Sequence, residues 1–236
     1  MTGVQTCALP IFYVLAGGQQ QFNYDGDRTD LQAQTFASVQ LPSYWNVRAF
    51  AINHPSVYDD RLTRGGPVVR RTGFNYASAE VSTDARKSAV YDISVQGSSG
   101  IDANTHSISI QPGIALKPAA NVFVSLSPSF RANEDAAQFV EAVSDPTATA
   151  FYGKRYVFGF LKARTLSLDT RVNWTFTPDL TLQLYAQPFI ASGAYSRFRE
   201  FTAPRTVQKV EYGVDIGTIS YAAPTAAAPV PSGSTV

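Results

Sequence analysis

Apolar and polar residues alternate along much of this chain with a period of two, the spacing at which successive side chains of an extended strand point to opposite faces. The longest run covers 165–190. Leu166, Leu168, Val172, Trp174 and Phe176 are apolar, and Ser167, Asp169, Arg171, Asn173 and Thr175 between them are polar. Thr177, Pro178 and Asp179 break the run, since proline fixes φ and aspartate can bond its own backbone in a turn. Leu180, Leu182, Leu184 and Ala186 then alternate with Thr181, Gln183, Tyr185 and Gln187. Together these segments predict a β-hairpin.

The same pattern recurs upstream. Ile108, Ile110, Ile114 and Leu116 alternate with Ser107, Ser109 and Gln111; a turn is expected over 117–121; Val122, Val124, Leu126 and Phe130 then alternate with Ser125, Ser127 and Ser129. Ala37, Val39 and Leu41 lead through Pro42 and Ser43 into Trp45, Val47, Ala49 and Ala51, opposite Asn46 and Arg48. A weaker pair surrounds 82–88, with Tyr91, Ile93 and Val95 as its apolar face, and one more strand is expected between Phe12 and Tyr24. The expected total is about nine strands.

Short links near Pro42, Asp84, Lys117 and Pro178 alternate with long ones over 54–71, 97–105, 131–154 and from Ser192 onward. That rhythm is the one of an antiparallel up-and-down transmembrane β-barrel, with tight turns on one side of the membrane and longer loops on the other. Strand length points the same way. About 11 residues at roughly 3.3 Å each and about 40° tilt span about 28 Å vertically, near the height of an outer-membrane apolar band, whereas strands of soluble domains average about 5–6 residues. Trp45, Trp174 and Phe176 lie beside short turns, where an interfacial aromatic girdle would sit. An odd strand count marks the barrel as incomplete, because single-chain bacterial barrels have even numbers. An open sheet edge cannot face lipid, so the fragment by itself is not expected to insert as a closed barrel.

Composition narrows the class. The 236 residues carry 19 basic and 18 acidic side chains for a net charge of +1, which argues against binding nucleic-acid phosphates. Hydrophobic residues at 44% and charged residues at 16% are too apolar for disorder. No run of 18 apolar residues occurs, which excludes a transmembrane helix and leaves a barrel untouched. The single Met and single Cys both fall within residues 1–11, MTGVQTCALPI, a stretch that back-translates as a short-read sequencing adapter. Residues 1–11 are therefore expected to be an artefact, 12–221 a partial barrel and 222–236, AAPTAAAPVPSGSTV, a low-complexity loop at a cut end. Cys7 then supports no disulfide, metal or nucleophile.

DDRLTRGGP (59–67), VSTDARK (81–87), DPTATAFYGKRYVF (145–158) and LSLDTRVNWTFTPDLTLQLYAQPFIASGAYSRFREF (166–201) resemble the C-terminal barrel of the domain of unknown function family 5916. The likeness covers most of 35–215. Members of that family carry an N-terminal domain similar to carbohydrate-binding module family 9. The resemblance implies an outer-membrane protein with a sugar-binding-like domain that this chain lacks, and relatives that continue into further strands after the region of Tyr212. It brings no established reaction and no catalytic residue.

The most chemically loaded stretch is 54–71, where Asp59, Asp60, Arg61, Arg64, Arg70 and Arg71 surround Gly65, Gly66 and Pro67. These residues could form a charge-paired constriction in a lumen, an anion site built on guanidinium forks, or a structural loop whose charges neutralise one another. No GKS or GKT follows the glycines, so a phosphate-binding loop is not indicated. On the strands, Arg48, Asp169, Arg171, Asn173, Gln183 and Gln187 share the polar positions and would face a lumen, whereas in a soluble sandwich they would face solvent. The acidic pairs Asp59 with Asp60 and Glu134 with Asp135 lack the further oxygen ligands that calcium needs. His54 and His106 lack the third and fourth ligands of a zinc site, and no GxSxG elbow occurs. No metal, cofactor or catalytic group is expected. Tyr13, Tyr24, Tyr152, Tyr156, Phe158 and Phe160 could form an aromatic rim or a sugar-stacking surface.

The expectation is a partial barrel in contact with bacterial outer-membrane lipid, a pore or receptor for a carbohydrate-related solute and a partner of a domain missing upstream. Its rivals are a barrel that anchors a carbohydrate-active enzyme and a soluble β-sandwich.

Overall fold

Each long strand pairs antiparallel with its neighbour in the chain, so the sheet grows in sequence order without crossovers. The computed structural model describes residues 11–101 and 104–217. The long strands are β1 (Ile11–Phe22), β2 (Arg28–Gln40), β3 (Asn46–His54), β6 (Phe74–Ser82), β7 (Ala89–Gly100), β8 (His106–Ala119), β9 (Val122–Ser144), β10 (Lys154–Thr177), β11 (Leu180–Ala186) and β12 (Phe189–Phe201). A small hairpin of β4 (Val57–Asp59) and β5 (Val69–Arg71) sits in the link between β3 and β6, and β13 (Lys209–Glu211) pairs with β12. Both β11 and β12 pair with β10, and the Leu168 N–H donates to the Pro188 carbonyl at 3.0 Å across the break between them. They act as one strand with a kink at Gln187 and Pro188, which makes nine long strands. The all-β, antiparallel, up-and-down sheet read from the alternation is the one found. The sheet is not closed: among the described residues β1 has a neighbour on one side only, as in an incomplete barrel.

Register carries the alternation across the whole sheet. One row runs Tyr13–Ser38–Arg48–Glu80–Ser94–Gln111, and the next Leu15–Phe36–Phe50–Ser78–Gln96–Ser109. From Ser109 the same face continues through Arg131 to Thr165 and so to Ser167, Asp169, Arg171 and Asn173. The other face carries rows such as Ile110–Phe130–Leu166–Ile190. From β6 to β10 the polar face is the more sheltered one. Ser109 is only 8% exposed, while its neighbours Ile108 and Ile110 are 46% and 37% exposed. Tyr91, Ile93 and Val95 are exposed on β7, whereas Asp92 and Ser94 between them are half-buried. A sheet in water does the reverse, because burying apolar area is what stabilises it.

Adjacent short turns lock together at one end. Tyr44, at φ 62°, lies in the β2–β3 turn with the Arg86 guanidinium 3.2 Å from its ring centroid, and Arg86 donates to both carboxylate oxygens of Asp84. Asn121 Nδ2 donates to the Thr175 carbonyl at 2.7 Å, tying the β8–β9 turn to the end of β10. Trp174 and Phe176 stack at 4.5 Å at this end.

The opposite end departs from expectation. The turn placed at 117–121 is narrower, since β8 continues to Ala119. Three of the expected long links begin as strand: β7 reaches Gly100, β9 and β10 pair out to Ser144 and Lys154, and β12 runs to Phe201. With 23 and 24 residues, β9 and β10 are about twice as long as an apolar band requires. Their upper halves mix buried Tyr156, Val157 and Phe158, exposed Val140 and Val143 and charged residues, so the sequence there carries no two-residue alternation to read.

A hydrophobic core closes that end. Val69 of the hairpin packs with Tyr156, Phe158 and Phe201, flanked by Leu62 and Phe139. Register shifts within 157–161 on both sides of β10 re-aim its side chains, and Tyr156, Val157 and Phe158 are all buried in succession. The reading of 1–11 falls on residues outside the described ones, except Ile11, which pairs with Gln40 in β1; the reading of 222–236 falls wholly outside them.

Candidate functional site

The hairpin link between β3 and β6 is the centre of the loop end. Asp59 closes β4, and its Oδ1 accepts the backbone N–H groups of Arg61 and Leu62 at 2.9 and 2.8 Å, an aspartate turn that fixes the start of the tip. Thr63 is fully buried and donates to the Pro67 carbonyl, closing the tip from inside. Arg64 and Gly65 both take positive φ there. Gly66 lies flat against the Tyr156 ring, with no room for a Cβ, so the sequence glycine pair serves a close approach.

The six charged residues singled out in this loop do not all converge. Asp59, Asp60, Arg61 and Arg71 line one cavity of about 600 Å³ together with Asp30, Asn23 and Tyr24. Their ion pairs are long, 3.9 Å for both Arg71 with Asp59 and Arg61 with Asp60, and Arg61 is almost wholly in solvent. Arg64 turns away and lays its guanidinium 4.6 Å from the Phe139 ring centroid. Arg70 pairs with Tyr58 in the hairpin, and its backbone N–H donates to the Thr206 carbonyl. The loop is thus held to the sheet by Val69, Leu62 and Arg64, and presents four of its six charges to one opening.

Of the strand residues, Arg48, Asp169, Arg171, Asn173 and Gln183 share the polar face, where Asp169 is half-buried and the other four are exposed. Arg171 stands opposite Ser125 and Asn173 opposite Gln183. Arg48 pairs with Glu80 at 3.4 Å. Gln187 falls in the break between β11 and β12, outside the ladder.

Several partners were not visible in the sequence. Arg205 donates to both oxygens of Asp27, and its backbone N–H donates to the Val68 carbonyl. The ion pair holds the Asp27 carboxyl below its usual range. Arg155 joins Asp145 and Glu200, at 2.5 and 2.8 Å, and Tyr212 donates to Glu200. The two hydrogen bonds from Thr147, with that from Arg155, lower the Asp145 carboxyl to about 2. Burial, reinforced by the Arg199 charge, lowers the Lys209 ammonium to about 8. Apart from Thr147 and Asp145, which share one turn, these residues have no local spacing signal, because each pair spans separate strands or links.

Both histidines sit at strand ends beside carboxylates. His54 stacks on Phe74 at 4.4 Å with Asp30 3.4 Å away, and His106 lies 3.2 Å from Glu134, which also takes Lys162 at 2.7 Å. Among the described residues no three His, Cys, Asp or Glu side chains converge as metal ligands. Compared with protein-family models, curated protein sequences and solved structures, the chain has no match.

Proposed function

We propose that this chain forms part of a bacterial outer-membrane β-barrel that serves as a pore or receptor for a carbohydrate-related solute. The observation that carries the reading is the inverted sheet: from β6 to β10 polar positions such as Ser78, Ser94, Ser109, Ser129 and Ser167 are buried or half-buried, and Ile93, Ile108, Phe130 and Leu166 on the opposite face are exposed. In lipid that exposure carries no cost, and the polar face lines the interior. The exposed apolar row on β10 from Leu166 to Phe176 ends at stacked aromatics and gives way upward to Arg164 and Lys162, the order expected across a membrane interface.

A second reading, a barrel that anchors a carbohydrate-active domain, draws on the packed cap of Val69, Tyr156, Phe158 and Phe201 over one end. The two separate on function. The full-length protein reconstituted in planar bilayers conducts ions if the interior is open, and gives no current if the cap seals an anchor. Location is tested first: the protein should resist carbonate extraction and dissolve only in detergent. Release by carbonate overturns both readings in favour of a soluble sheet.

A further inference from the structure

The polar face carries one feature that polarity alone does not explain. Four aromatic rings cross it obliquely on four consecutive paired strands. Tyr13 on β1 lies 5.6 Å from Phe36 on β2; Phe36 stands opposite Phe50 on β3; Phe50 lies 6.0 Å from Tyr76 on β6. Register places Tyr13 in the row of Ser38, Arg48 and Glu80, Phe36 and Phe50 in the next, and Tyr76 in the row of Gln34 and Ile52 above that. The stripe therefore climbs through three rows as it crosses the sheet. It ends where the Tyr76 hydroxyl donates to Gln96 Oε1 at 2.7 Å.

These rings do not belong to the hydrophobic core, which lies in the cap around Phe158. Nor do they belong to the apolar face, which on the same strands is built from Val39, Ala49, Ala51, Ala77 and Ala79. Phe36, Phe50 and Tyr76 are half-buried and Tyr13 is exposed, so ring surface stays accessible. Neutral hydrogen-bonding groups border the stripe: Ser38 and Gln34 from β2, Ser78 from β6, Gln96 from β7. The charged neighbours, Arg48 and Glu80, pair with each other.

We infer that this stripe is a binding track for a linear, uncharged oligosaccharide. The inference rests on the proposed role of the polar face as the barrel interior, and it names the surface that the solute touches. A pyranose ring presents C–H groups on its faces and hydroxyls on its edges. Successive rings stack their faces on Tyr13, Phe36, Phe50 and Tyr76, while the edges reach the flanking serines and glutamines, which both donate and accept. Self-neutralised charge favours a neutral chain over a phosphorylated or acidic one.

The test uses full-length protein in lipid nanodiscs, titrated calorimetrically with maltohexaose, cellohexaose and xylohexaose, with ion conductance measured in parallel. At least one hexaose should bind, and Phe36→Leu with Phe50→Leu should weaken it about 10-fold or more, as expected for losing two stacking contacts. Gln96→Ala, which leaves every ring in place, should weaken it as well. Tyr13→Phe should bind as wild type. A protein that conducts ions yet binds none of the three hexaoses overturns the track and leaves the pore reading intact. Binding that persists unchanged in both the double-leucine and the Gln96 variants also overturns it. Binding lost in those variants by a protein that passes no current supports the track and removes the pore.

Discussion

Arg205 and Asp27 stand 178 positions apart, yet Arg205 donates from both terminal guanidinium nitrogens to the two carboxylate oxygens of Asp27. Asp27 belongs to the β1–β2 turn at one edge of the sheet, and Arg205 to the link between β12 and β13 at the other. The Arg205 guanidinium also lies 4.4 Å from the Tyr58 ring centroid in the hairpin. One arginine thus joins both edges of an open sheet to the loop that covers its end.

Arg205→Ala should release that junction without unravelling the ladder. Amide exchange in 23–28 and 202–208 should speed up while β7 to β10 stay protected, as expected of a locally opening unit. Unchanged exchange in both segments would show that the ion pair is incidental. Arg205→Lys should rescue only in part, since an ammonium cannot make the forked contact.

The β9–β10 link should loosen in acid. Asp145 has its folded value depressed to about 2 from 3.8 by hydrogen bonds from Thr147 and Arg155. A depressed carboxyl contributes stability that is complete above its unfolded value and is lost as pH falls through the folded one. The protection factors of 145–153, exchange rates divided into their intrinsic values at each pH, should therefore be flat above pH 5 and fall between about pH 4 and 2. Asp145→Asn should show the lowered protection already at neutral pH; a flat profile in the wild type down to pH 2 counts against the contact.

The two faces should respond oppositely to charge. Leu126, midway along the apolar positions from Val122 to Phe130, stands opposite Ile114 on the exposed apolar face, and Ser127 beside it is half-buried on the other face. Leu126→Arg should cost about 2–4 kcal/mol of folding stability in bilayers, and Ser127→Arg much less. Urea unfolding in lipid vesicles measures both. Equal and small effects would mean that Leu126 meets water.

Phe158 is fully buried, edge to face with Phe139 and Phe201. Phe158→Ala should cost about 3–5 kcal/mol, the range for emptying an aromatic site in a closed core. The same titration should show the cap melting before the ladder, as a separate early transition. A single unshifted transition would mean that the cap does not depend on this ring.

Gly113 on β8 stands opposite Asp92 on β7, and a Cβ there would run into the Asp92 carboxylate. Gly113→Ala should destabilise the pair, and Asp92→Ala in the same chain should recover most of the loss. Additive effects of the two changes would show that the close approach is not felt.

The alternation around Leu166, Ile108 and Val122 was legible because a strand that meets two unlike environments must change chemistry at every residue. It located the strands wherever one face is apolar. It failed over 131–144, 154–164 and 189–201, where β9, β10 and β12 continue beyond the apolar rows. There the shared register with neighbours, and not contact with an apolar medium, holds the strand, and residues such as Asn133, Gly159 and Ser196 carry no two-residue rhythm. The charged loop was legible as a cluster of charges, but not its division. Arg64 leaves the group because Phe139, on a strand far away in sequence, offers it a ring.

The sequence by itself determined the strand class, the turn positions at Pro42, Asp84 and Pro178, and which residues share a face, because these follow from backbone geometry and nearest neighbours. Only the tertiary structure decided which face is sheltered, that β11 and β12 are one strand, that the loop at 54–71 becomes a cap, and that four aromatic rings from separate strands form one stripe. Each of these depends on register between distant segments, and register is fixed by the whole set of paired strands at once.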